Sequence, residues 1–81
     1  MNSYLEHAHN INSSDAEILY NLIELYLLEH RYQKAKKLIE FFDEHKADLE
    51  MYDKKESFYR NKMRLFTAYL TVYEKRKTHK K

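Results

Sequence analysis

The stretch AEILYNLIELYLL, residues 16–28, decides the fold. Ten of its 13 side chains are apolar, and the three exceptions, Glu17, Asn21 and Glu24, are spaced by four and three. On an α-helix that spacing makes one narrow polar stripe and leaves the rest of the circumference apolar. The start is signalled by Ser14, which has capping-box spacing to Glu17, with Asp15 adding negative charge where the first backbone N–H groups lack partners. Such a helix must be covered on most sides. Leaving Tyr20, Ile23, Leu27 and Leu28 in water would forfeit roughly 1.5–3 kcal/mol per side chain.

Outward from this helix the pattern repeats with clearer polarity. A break falls at Glu29, His30 and Arg31, where histidine tolerates a positive φ better than most residues. A second helix follows from Tyr32, with Ala35, Leu38, Ile39 and Phe42 on one face. A second break lies between residues 46 and 54, since Asp48 and the Asp53–Glu56 pair are both capping candidates. The third helix continues to about Arg76 on a seam of Tyr52, Tyr59, Met63, Phe66, Leu70 and Tyr73. A second row, Phe58, Leu65, Tyr69 and Val72, adjoins it, and the doubled stripe exceeds what one neighbouring helix needs. Residues 1–13 are polar without a sustained period and read as a flexible arm. Residues 14–77 read as one helical domain and residues 78–81 as a basic tail. The expected class is all-α, a three-helix bundle.

Composition removes most chemistry. The 81 residues include no cysteine, glycine or proline, so no disulfide, thiolate nucleophile or Gly-rich phosphate loop is available. The longest apolar run, Leu25 to Leu28, is too short to cross a bilayer, and no signal-peptide core follows Met1; a cytoplasmic location is the expectation. Five histidines lack the i, i+4 spacing of a helical zinc pair, so neither metal nor cofactor is expected. Serine and threonine have no neighbouring His–carboxylate pair, and the chain reads as a non-enzyme.

The stretch Ala16 to Ala47 resembles a tetratricopeptide repeat, about residues 16–49. Leu19, Leu22 and Tyr26 stand where that family's first helix presents its large apolar residues. The segment His30-Arg31-Tyr32-Gln33-Lys34-Ala35 resembles the family's turn, and Ile39 and Phe42 take its second-helix packing positions. Ile23 stands where the family has a small residue, and Ala47 where a proline commonly ends the second helix. The resemblance implies a helical hairpin, here followed by one long helix, whose first helix lines a ligand groove. It places Glu17, Tyr20, Asn21, Glu24, Leu27 and Leu28 on that side. Tyr69 joins them as an interface aromatic of the third helix, a residue type favoured at binding hot spots.

Two functions follow as expectations. One is a protein-binding module, a small chaperone or adaptor holding an amphipathic helix of another protein, or pairing with a second copy. In size and architecture the chain is similar to the small helical chaperones of bacterial type III secretion systems. The alternative is a nucleic-acid-binding regulator. Residues 1–47 carry a net −3 and residues 48–81 a net +5, and that regulator would use Arg60, Lys62 and Arg64 of the third helix with Lys75, Arg76 and Lys77 of the basic C-terminal end.

Overall fold

A computed structural model describes residues 14–79, with side chains through Lys75. The expected arm over residues 1–13, and Lys80 and Lys81 of the tail, lie outside the described residues. The chain forms an all-α three-helix bundle: α1 is Ala16–Leu28, α2 is Tyr32–His45 and α3 is Glu56–His79. Two 3-10 turns, Lys46–Asp48 and Asp53–Lys55, fill the second connection. At 1.5 Å per residue α3 is about 36 Å long, against about 20 Å for α1.

α1 begins one residue later than the capping box suggests. Asp15 is the N-cap, and its carboxylate accepts from the Glu17 and Ile18 backbone N–H groups at 2.8 and 3.2 Å. Ser14 is committed elsewhere: its carbonyl accepts from the Glu50 N–H at 2.7 Å, while the Glu50 carbonyl accepts from the Ala16 N–H at 3.0 Å. This isolated bridge clamps the loop before α3 to the start of α1.

The first break falls where expected. The Arg31 N–H bonds the Tyr26 carbonyl and the His30 N–H bonds the Leu27 carbonyl, with His30 at φ 63°. This double closure normally uses glycine at the left-handed position; here histidine takes it.

The second break ends later than expected, because α3 starts at Glu56. The reason is packing. Leu49 and Tyr52 are buried, so the loop is spent plugging the lower end of the bundle. Met51 takes a left-handed φ of 75° to make that turn, a conformation that costs a residue with a Cβ about 1–2 kcal/mol. Met51→Gly should therefore raise stability by about 0.5–1 kcal/mol, read from the urea midpoint at unchanged slope. α3 also runs past Arg76 to His79, so Thr78 and His79 continue the helix.

The core has two joined parts. Below, Ala16, Leu19, Phe42, Leu49, Tyr52 and Tyr59 pack together; above, Leu22, Ile23, Tyr26, Leu27, Ala35, Phe66 and Leu70 do so. Residues near the start of α1 meet the end of α2 and the start of α3, so α1 and α3 run parallel and α2 antiparallel to both. Ala35, with no exposed surface, lets α2 approach closely. Among the described residues no helix is long and apolar enough to cross a membrane.

Candidate protein-docking face

The cover that Ile23 and Leu27 require comes from the chain's own helices and not from a partner or a second copy. Ile23 is 0% and Leu27 7% exposed, because α2 and α3 together cover most of α1. What stays bare lies elsewhere. Leu28 at the end of α1 is 72% exposed, and on α3 Leu65 is 63%, Val72 56% and Tyr69 48% exposed. Phe58 and Met51 are exposed to a lesser degree. Between α1 and α3 runs an open groove of about 540 Å³, lined by Glu24, Leu27, Leu28, Leu65, Phe66 and Tyr69, with His30 at its end. Covering this strip would bury apolar surface that the described residues leave in water.

The structure therefore divides the residues assigned to the docking side. Glu24, Leu28 and Tyr69 come together around the groove, with Leu27 as its floor. Asn21 is half-buried. Tyr20 lies under α3, its ring 5.3 Å from Phe58 edge-on and 6.2 Å from Phe66 in a stacked pose. The Lys62 ammonium sits 5.6 Å over the Tyr20 ring, a cation–π contact that further covers it. Glu17 has a structural task. Its Oε1 accepts from the Tyr59 hydroxyl at 2.6 Å and lies 3.6 Å from the Lys55 ammonium. Burial, and then the bond to Glu17, push the Tyr59 hydroxyl well above the ordinary tyrosine range.

Leu65 and Val72 are the most exposed large apolar residues of α3, yet the sequence reading assigned only Tyr69 of their row to docking. Their signal was the second apolar row itself, of which Leu65 and Val72 are left bare among the described residues.

Beyond the groove end lies an aromatic cluster. The Tyr32 hydroxyl is 2.6 Å from His30 Nδ1 and 3.5 Å from the Tyr69 hydroxyl, and its ring stacks on Tyr73 at 3.7 Å. The bond to Tyr69, with burial and the neighbouring Tyr73, pushes the Tyr32 hydroxyl up to about 12. Because this pKa lies above the unfolded value of about 10, its stabilising contribution is complete below pH ~10 and is lost as pH rises towards 12. An alkaline titration followed by tyrosinate absorbance should show ionisation above pH ~10 accompanied by loss of helix, and Tyr32→Phe should remove part of that late step.

The basic residues do not converge. Arg60 and Arg64 border a second open groove, of about 740 Å³ between α2 and α3, together with Glu40, Asp43 and Glu44. Arg60 also pairs with Glu56 at 3.9 Å. Lys62 lies towards α1, over the rings of Tyr20 on α1 and Phe58 on α3. Lys75 is exposed, and the side chains of Arg76 and Lys77 lie outside the described ones. Among the described residues no group of three or more His, Asp or Glu is placed to hold a metal ion. Compared with known proteins, the chain matches no family model, no curated protein and no solved structure.

Proposed function

We propose that this chain is a protein-interaction module, a small chaperone or adaptor that holds an amphipathic helix of another protein. The observation that carries the reading is the contrast in burial. A closed core is combined with one bare apolar strip, Leu28, Leu65, Tyr69 and Val72, beside an open groove. A docked helix is the partner that fills a groove between two helices with apolar side chains at i, i+3 and i+4. The tetratricopeptide-like hairpin belongs to this proposal. It is supported by the turn at His30 and by the small, buried Ala35 where α1 and α2 meet. A cytoplasmic, secretion-type chaperone is the finer form of the same reading.

The test is affinity capture of the natural partner, followed by the variants Leu28→Asp and Leu65→Asp. Both side chains are exposed, so folding should change by no more than about 0.5 kcal/mol. Binding should weaken by about tenfold or more, since a charge would enter a desolvated apolar contact. Full binding by both variants, with loss only on reversing Arg76 and Lys77, would refute the reading and favour a nucleic-acid partner.

A further inference from the structure

α3 carries two rows of side chains with the same three-and-four spacing. The inner row, Tyr59, Met63, Phe66, Leu70 and Tyr73, is buried or half-buried. The outer row is Phe58, Asn61, Leu65, Ala68 and Val72, and every member is exposed. At about 100° per residue the two rows lie roughly 140° apart, so the outer row looks away from the core. A stripe that steps by three and four follows the seam of two helices wound along each other. From Phe58 to Val72 it runs about 21 Å. Its shape calls for a helix.

Charge says which helix. Lys62 flanks the outer row on the α1 side, Arg64 flanks it on the other, and Lys75, three residues after Val72, closes the row. None of the three is paired with a carboxylate among the described residues. α3 holds six Lys/Arg against two glutamates, and Glu56 and Glu74 already bond Arg60 and Lys36. A second copy fits poorly. Antiparallel pairing about Leu65 would set the two Arg64 side chains against each other, and parallel pairing would oppose the two Lys75 side chains.

We infer that the occupant of this face is an amphipathic helix whose apolar stripe is flanked by Asp and Glu. The inference rests on the interaction-module reading and names the chemistry of its partner. The acids of that helix meet Lys62, Arg64 and Lys75, and its apolar side chains cover Leu65, Val72 and Leu28. Glu24 stands on the α1 rim of the groove, so at that level the acids face the Arg64 side.

The full chain is titrated with two synthetic peptides of about 21 residues, three heptads, sharing one apolar stripe. One carries Glu at the flanking positions and the other Lys. The Glu peptide should bind about tenfold or more tighter at low ionic strength, with the ratio shrinking at about 0.5 M salt. Amide resonances of Leu65 to Val72 should shift on binding. Arg64→Gln with Lys75→Gln should erase the preference, and Arg64→Glu with Lys75→Glu should invert it, helix content being checked by circular dichroism. Equal binding of both peptides at the seam overturns the acidic-helix inference and leaves the interaction-module reading standing. If neither peptide shifts the seam, both fall. A dimer in sedimentation equilibrium with shielded Leu65 and Val72 methyls overturns the inference in favour of a second copy.

Discussion

Tyr59→Ala is expected to leave the chain unfolded at 25 °C. Tyr59 has no exposed surface, and its ring lies against Tyr52 and Phe42 at about 6 Å each and Phe58 at 5.5 Å. Removing a buried aromatic side chain costs about 3–5 kcal/mol, through lost burial and the cavity left behind. A domain of this size, without disulfide or metal, holds only about 3–5 kcal/mol in total. The two figures meet, so the folded population should collapse. Tyr59→Phe separates packing from the hydrogen bond. It keeps the ring and loses only the bond to Glu17, whose carboxylate is partly exposed and still beside Lys55. The expected cost is about 1–2 kcal/mol. Urea titration followed by far-ultraviolet circular dichroism should give a cooperative transition for Tyr59→Phe at a lowered midpoint, and none for Tyr59→Ala.

Ile23→Asp and Leu28→Asp form the second comparison. They lie five residues apart on the same helix and differ almost completely in environment. Ile23 is enclosed by α2 and α3, so an aspartate there is a buried charge with no partner, at a cost above about 4 kcal/mol. Leu28 is largely in water already, so the same change should move stability by no more than about 0.5 kcal/mol. Thermal melts of the two variants should show an unfolded chain and a near-normal one. Equal destabilisation would mean that α1 is covered at both positions, or at neither.

The helices were legible because their signals are local. The apolar run of residues 16–28, the Ala35–Phe42 face and the Tyr59–Tyr73 seam each carry helical spacing within one segment. The turn at His30 was also legible, since few other residues nearby could take a left-handed conformation. The helix starts were less so. Ser14 has an acceptable capping side chain, but its carbonyl is claimed by Glu50, which lies 36 residues away. Likewise, nothing local says that Leu49 and Tyr52 fold under the bundle and delay α3 to Glu56.

The docking face was legible only in part, for a related reason. Spacing shows that α1 and α3 each have more apolar surface than one contact uses. It does not say which surplus the third dimension absorbs. α2 and α3 close over Ile23 and Leu27, while nothing within the described chain closes over Leu65 and Val72. The total excess could be read from the sequence, but its location needed the packing of all three helices.

The central claim is that this chain sheathes α1 with its own helices and leaves its apolar surplus on the outer row of α3 and at Leu28. Methyl resonances measured with a soluble paramagnetic probe test it directly. Leu28, Leu65 and Val72 should be strongly attenuated, while Leu19, Leu22, Ile23 and Leu27 stay protected. Attenuation of Ile23 and Leu27 to the same degree as Leu65, or protection of Leu65 and Val72 in the isolated chain, would contradict the account.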